Sequence, residues 1–416
     1  MRNQRLIQVN ILAFICLATV ATLPEVAWAK RTVFGHIKDG TGKPIAGLLV
    51  EAWDDDPDIK GVSQDDFMGS AHTDNQGNYR VSYEGKHWDT APHRITTWRP
   101  DIYIKVKARS FLTGDWAKVY ESKVNSNQRM ADDLRIDATV APNQVVARRT
   151  QFNPFSHGWP FENKSAKICF APTCDKEHWL AQYTRHISTF RWALCGGMSL
   201  SALRHFQNGA PVAPFSPQIK EELVKAQLDT IGPGVWAKFI EWQAKPTKPH
   251  TFGAHTIGVS TKGEWPKVKS AIDRGAPIVL GLIRVQADNL GGLDPVEAVQ
   301  HVGNNHQVLA IGYDYHQLTQ DTIIWVYDPN SPNSLSKISM NLGLPENQIK
   351  AEQRTYWSAT KTLQTRPDNV RGFFVIGDSS APPKGPVVQP TAAQQAAFQE
   401  LVALMQSKDT GKVMTR

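Results

Sequence analysis

Three residues far apart in the chain carry the side-chain types of a nucleophile, a base and an orienting acid: Cys195, His306 and Asp328. Cys195 lies in RWALCGGMSLSALRHFQNG, where Met198, Leu200, Leu203 and Phe206 recur at helical spacing and Gly209 ends the run. The pattern predicts a helix that begins at the cysteine. There, unpaired backbone N–H groups and the positive end of the helix dipole favour a thiolate, the reactive form of cysteine. Gly196 and Gly197 read as room for a substrate to approach the sulfur. Cysteine and small residues at a helix start also serve as core packing, so the partners decide between the two.

His306 opens NNHQVLAIGYDY, a polar start that runs into an apolar, β-prone stretch. A second strand, TIIWVY at 322–327, is ended by Asp328, Pro329 and Asn330. An antiparallel hairpin centred near residue 317 sets position 306 against position 328. A carboxylate beside an imidazole holds it in one tautomer and supports its charged form. On this reading the strand delivers His306 to Cys195 with Asp328 behind it. Asn304 and Asn305 read as turn residues.

The chain of 416 residues has room for two or three domains, and 41% hydrophobic with 9% aromatic residues is the composition of a folded protein. The net charge of +7 is spread without a basic block, which argues against nucleic acid as a partner. Residues 1–29 combine Arg2 and Arg5, an apolar core from Ile11 to Leu23 and the ending Ala27-Trp28-Ala29, the pattern of a secretory signal peptide. A secreted or periplasmic protein without a membrane anchor is expected. Cys169 and Cys174 flank a short loop and are spaced to close as a disulfide in an oxidising compartment, which leaves Cys195 as the odd thiol.

From 30 to 147 short β-like runs alternate with turn signals, the pattern of an antiparallel sandwich. TDNQGNY at 73–79 reads as a tight hairpin with Gly77 at positive φ. Asp54, Asp55, Asp56, Asp58, Asp65 and Asp66 lack the spacing of a calcium loop and read as a solvated acidic loop. APNQVVARRT looks like a connector, and an α+β domain is expected over 148–380. A Pro-rich spacer and a helical tail follow over 381–416.

Two resemblances emerge from these motifs. Gly35 through Tyr83, with Asp-x-x-Gly-x-Pro, Gly-x-x-Val-x-x-Trp and Thr-Asp-x-x-Gly-x-Tyr in order, resembles the transthyretin-like and carboxypeptidase-regulatory-like β-sandwich modules, which bind, space or stabilise. LCGGMS, NHQVLAIGY and VYDPNSP, within residues 150–378, resemble the papain-like cysteine peptidases, closest to the bacteriocin-processing peptidase-like bacterial branch. The segment from Trp265 fits as the helix and strand that precede the His hairpin. The expected architecture is multidomain, an N-terminal all-β sandwich followed by an α+β papain-like domain. The resemblance implies a thiol hydrolase acting on peptide or isopeptide bonds of a peptide or protein substrate, with Cys195, His306 and Asp328 as its triad and no cofactor or metal. The sandwich would be a targeting module for a surface polymer or protein. One position departs from the pattern: the oxyanion Gln expected six residues before the cysteine is Thr189, Gln182 is too far upstream to replace it, and Asn163 is the candidate donor instead. The alternatives are a transamidase using the same triad and a secreted binding or adhesion protein whose papain-like domain is silent.

Overall fold

The computed structural model describes residues 30–56, 65–84, 100–126, 133–163, 165–169, 189–248, 255–286, 302–377, 383 and 385–411. The leader segment at 1–29, Asp58 and Cys174 lie outside them. The architecture is mixed α and β, dominated by antiparallel sheets. Among the described residues no helix is long and apolar enough to cross a membrane.

The N-terminal part holds β1 (Arg31–Asp39), β2 (Leu49–Asp54), β3 (Asp66–His72), β4 (Asn78–Tyr83), β5 (Ile102–Arg109), β6 (Trp116–Glu121), β7 (Leu134–Arg135) and β8 (Ala138–Val140). They form two four-stranded sheets, β4-β1-β7 with β8 also on β1, and β3-β2-β5-β6. Strand alternation explains the pairing of the sheets: in β4 the side chains of Tyr79, Val81 and Tyr83 are buried and those between them are exposed. They meet Val33, Ile37, Val50, Ile104 and Val106 in one apolar core. Gly77 has φ +76°, as expected, and Asp74 Oδ1 accepts from the Gln76 and Asn78 N–H groups. The strands joined by this turn belong to opposite sheets, so it is a crossover and not a hairpin. The acidic loop is also less solvated than its composition suggests. Asp54 is buried and accepts from Asp101 N–H, and Asp65 accepts from the Tyr103 hydroxyl, because acids at strand ends pair with the donors of the neighbouring strand.

The chain enters the second part through β9 (Val145–Arg149), which lies in the stretch read as a connector. Then come α1 (Pro154–His157), β10 (Ser165–Cys169), β11 (Thr189–Ala193), α2 (Cys195–Gln207), α3 (Pro217–Asp229), α4 (Pro233–Ala244) and α5 (Ile257–Asp273). The remaining strands are β12 (Ile278–Ile283), β13 (His306–His316), β14 (Asp321–Tyr327), β15 (Ser334–Asn341), β16 (Ala351–Trp357), β17 (Thr362–Leu363), β18 (Asp368–Val370) and β19 (Gly372–Val375), and α6 (Ala392–Gly411) closes the order. A nine-stranded sheet runs β17-β16-β15-β14-β13-β12-β19, with β18 on β16 and β9 on β13.

Strands β12, β13 and β14 are buried on both faces, which is why their sequences read as unbroken apolar runs. Leu309, Ile311, Ile323, Trp325 and Leu335 share a core with Leu203 and Phe206 of α2, Phe239 of α4 and Leu401 of α6. Their alternates, Val308, Ala310, Ile324, Val326 and Ile338, pack with Trp265, Val268 and Ile272 of α5. The sheet is therefore a layer between helices, and it holds the strand ends rigidly. Along β13 the partner changes: β12 pairs with His306 to Ala310 and β9 with Gly312 to His316, with a register shift between Ala310 and Gly312 on the β14 side.

The two parts join at the other end of β14. Asp321 is fully buried and accepts from Ser110 Oγ at 2.5 Å and Phe111 N–H at 2.9 Å, both from the loop after β5. Thr319 Oγ1, in the β13–β14 turn, and Asn341 Nδ2, in β15, supply two more donors. Burial pushes the Asp321 carboxyl above its usual range in spite of them. Leu318, in the β13–β14 turn, enters the sandwich core.

Candidate active site

Chain direction brings the cysteine to the histidine. β11 ends at Ala193, and Leu194 caps α2, a helix of 13 residues whose first is Cys195. The Leu194 N–H is held by Asn163 Oδ1 at 2.7 Å, and the Leu194 carbonyl accepts from Met198 N–H, so the helix start is fixed from both sides. The His306 side chain and the backbone N–H groups of Gln307 and Gly196 favour the Cys195 thiolate. Burial alone would raise the thiol pKa. The His306 hydrogen bond and charge, with those two N–H groups, outweigh it and hold the pKa below the ordinary value.

His306 is the first residue of β13, and its Nε2–H donates to Asp328 Oδ1 at 2.7 Å. That leaves Nδ1 as the ring nitrogen available to the thiol. The ladder register differs from a hairpin centred at 317. Leu309 pairs with Tyr327, which places Asp328 level with Val308 and not with His306. The turn sits further along than expected, and the imidazole reaches Asp328 diagonally, a span within range of a long side chain. All three side chains are sequestered, at 7%, 3% and 4% exposure for Cys195, His306 and Asp328. Burial works against an imidazolium, but the Asp328 charge and hydrogen bond, with the contact to Cys195, push the His306 pKa up to about 9. Burial likewise opposes the Asp328 carboxylate, yet the His306 charge, the Asn330 N–H and Arg284 hold its pKa below the usual range. The arrangement supports a thiolate beside an imidazolium.

The signs of these shifts set a stability window. His306 is raised above its ordinary 6.5, so its contribution is complete below that pH and is lost as pH rises through about 9. Asp328 is lowered, so its contribution is present above roughly pH 4 and is lost as pH falls below it. The lowered Cys195 pKa opposes the His306 loss, because its contribution grows as pH rises toward the ordinary thiol range, so the thiol has to be removed to expose the His306–Asp328 pair. In a Cys195→Ala background, thermal unfolding measured from about pH 7 to 10 should show stability falling faster than in Cys195→Ala/His306→Gln. Parallel slopes would mean that the pair is not charged.

The two glycines after the cysteine do something other than admit substrate. A Cβ on Gly197 would overlap the Leu223 carbonyl of α3 and stand 2.9 Å from Gln227 N; a Cβ on Gly196 would overlap Gln307 Oε1 and Thr230 Oγ1. Gly197 lets α2 and α3 pack backbone to backbone, with Gln227 Oε1 accepting from its N–H at 2.8 Å, and Gly196 makes room for the side chains of Gln307 in β13 and Thr230. Asn163, the candidate oxyanion donor, is tied at both ends of its amide, since its Oδ1 accepts from Leu194 N–H and its Nδ2 donates to Asn330 Oδ1 at 2.7 Å, while its backbone N–H donates to Pro329 O. It clamps the start of α2 to the loop that carries Asp328. The Cys195 N–H, at the first position of α2, has no backbone partner among the described residues. The backbone of Thr189 pairs with that of Cys169 across β10 and β11, and the pairing of Cys169 with Cys174 falls outside the described residues. Among the described residues no three His, Cys, Asp or Glu side chains cluster to hold a metal.

Sequence reasoning missed the groups behind the acid. Asp328 Oδ1 also accepts from Asn330 N–H at 2.8 Å, and Oδ2 accepts from Gln353 Nε2 at 2.5 Å. Asn330 stands beside Asp328 in VYDPNSP and was within reach of motif reading. Gln353 was not, because only the β15–β16 pairing brings it close.

No family model matches the sequence, and no curated protein matches it. Among solved structures, a dioxygenase domain from Streptomyces sp. SirexAA-E is similar at 16% identity and TM-score 0.18, over 29% of this chain and 84% of that one. Chlorocatechol 1,2-dioxygenase from Pseudomonas putida is similar at 16% identity and TM-score 0.17, over 28% of this chain and 61% of that one. A 9R-lipoxygenase from Cyanothece PCC8801 is similar at 12% identity and TM-score 0.22, over 84% of this chain and 42% of its own length.

Proposed function

We propose that this chain is an exported papain-like thiol hydrolase that cleaves peptide or isopeptide bonds through Cys195, His306 and Asp328. The observation that carries the reading is the meeting of a helix-start cysteine with a histidine whose far nitrogen is held by a carboxylate at 2.7 Å. That set supplies each role acyl transfer needs. The Cys195 thiolate attacks the carbonyl carbon, the bond to nitrogen breaks, and the leaving amine takes its proton from His306. Water, deprotonated by His306, then attacks the thioester and releases the acid and the free thiol. Asp328 holds the imidazole in the Nε2–H tautomer, and the unpaired Cys195 N–H at the start of α2 serves as the backbone donor to the developing oxyanion. The N-terminal sandwich serves as a targeting or spacing module for a surface polymer or protein.

The test is to offer the full chain a panel of fluorogenic peptide and isopeptide substrates and to trap the acyl-enzyme by acid quench. Turnover with an adduct mapped to Cys195, both absent in Cys195→Ala, supports the hydrolase. An adduct released faster by added amine than by water assigns transamidation instead. Failure to form any acyl adduct across the panel turns the reading toward a binding protein.

A further inference from the structure

The polar chain that begins at the thiol does not stop at Asp328. Gln353 Nε2 donates to Asp328 Oδ2 at 2.5 Å, and Gln353 Oε1 accepts from Arg284 Nη2 at 2.8 Å. The same guanidinium nitrogen lies 3.6 Å from Asp368 Oδ2, at the half-exposed edge of the sheet. Arg284 follows β12 directly, and its backbone N–H donates to Oδ1 of Asn305, the residue before His306, at 3.0 Å.

Gln353 is fully buried in β16, with Ala351 two residues earlier in the α5-side core. An apolar side chain is the cheaper occupant of such a place, since a buried amide costs free energy unless both its ends are paired. Here both are paired, and the pairing leaves no freedom of orientation. A guanidinium can only donate, so Arg284 fixes the carbonyl end of the amide toward itself and turns the NH₂ end to Asp328. With Oδ2 held by Gln353, and Oδ1 held by Asn330 N–H and His306, the carboxylate cannot rotate away from the imidazole.

On the hydrolase reading above, we propose that Gln353 and Arg284 are positioning residues of the reaction. Arg284 orients the Gln353 amide, Gln353 holds the Asp328 carboxylate in place, and the carboxylate keeps Nδ1 of His306 directed at Cys195. Neither residue touches substrate.

The experiment is the pH profile of Cys195 alkylation by iodoacetamide in the full chain, read by mass spectrometry, for wild type, Gln353→Leu, Arg284→Met and Arg284→Lys. In Gln353→Leu the acid limb should move up by about one pH unit, or roughly tenfold slower labelling on that limb, the worth of a lost hydrogen bond to a charged group. Arg284→Met should move it in the same direction by less, and Arg284→Lys, which keeps a donor, should restore most of it. Arg284 is partly exposed, so its variants report even if the buried Gln353→Leu folds poorly. In a His306→Ala background, Gln353→Leu should cause no further shift, because its effect runs through the imidazole. Coincident limbs for wild type and Gln353→Leu, with both below the ordinary thiol range, overturn the positioning role and leave the nucleophile reading standing. An equal shift in the His306→Ala background reduces Gln353 to a structural residue. A wild-type profile of an ordinary thiol removes both.

Discussion

Asp328→Asn should lower amide-bond turnover by up to about 10⁴-fold while the chain still folds, the size of loss that follows when a triad carboxylate becomes an amide. The reason is a conflict of donors. In the wild-type chain Oδ1 receives His306 Nε2–H and Asn330 N–H, and Oδ2 receives Gln353 Nε2. An asparagine must place its NH₂ at one of these two positions. At the first, it meets two donors and drives the imidazole to the other tautomer, with a proton on Nδ1 facing Cys195 and no acceptor for the thiol proton. At the second, it meets the Gln353 NH₂, which cannot flip without setting its own NH₂ against Arg284. Steady-state kinetics with circular dichroism as a fold control checks the expectation. A loss below about tenfold would show that Asp328 neither orients nor charges His306.

Gly197→Ala should be nearly as damaging, by a different route. Its Cβ would enter the backbone of α3 at the Leu223 carbonyl, and a helix carbonyl cannot rotate aside as a side chain can. The two helices must part, at an overpacking cost of about 1–3 kcal/mol. Because Cys195 is the first residue of α2, the shift moves the nucleophile, and a displacement of about 1 Å can cost roughly 10² in rate. Gly196→Ala meets the side chains of Gln307 and Thr230, which have some freedom to move, so its effect should be smaller. Comparing thermal midpoints and Cys195 labelling rates of the two variants checks the order. If Gly196→Ala proved the worse of the two, the glycines would be serving substrate access after all.

Much of the site was legible because each of its three residues sits where a local pattern changes. The helical period starts at Cys195, an apolar strand starts at His306, and another ends before Asp328. Such boundaries can be read from neighbours in the chain. The register of the His hairpin could not, since turn length and the irregularity near Gly312 fix it, and the diagonal reach of His306 follows from both. LCGGMS looked like an open approach to the sulfur, whereas Gly197 is taken up by the backbone of α3, which no motif ties to the cysteine, and Gly196 by Gln307 and Thr230. Gln353 and Arg284 gave no signal at all. Each is an ordinary strand or strand-end residue until β15 and β18 pair with β16 and set Gln353 beneath Asp328. In the N-terminal part, alternation predicted the strands and the turn at Gly77, but not that the turn changes sheets, which depends on which strand β1 recruits.

The most direct measurement is iodoacetamide labelling of Cys195 at about pH 5.5 in the full chain, wild type against His306→Ala, followed by mass spectrometry. Without the imidazolium a buried thiol keeps its proton, and at this pH an ordinary cysteine is ionised to less than about 1%. A His306-supported thiolate gives rapid labelling of the wild type and a rate on the order of 10²- to 10³-fold lower in the variant. Equal rates, whether both fast or both slow, would contradict a His306-supported thiolate and with it the proposed mechanism.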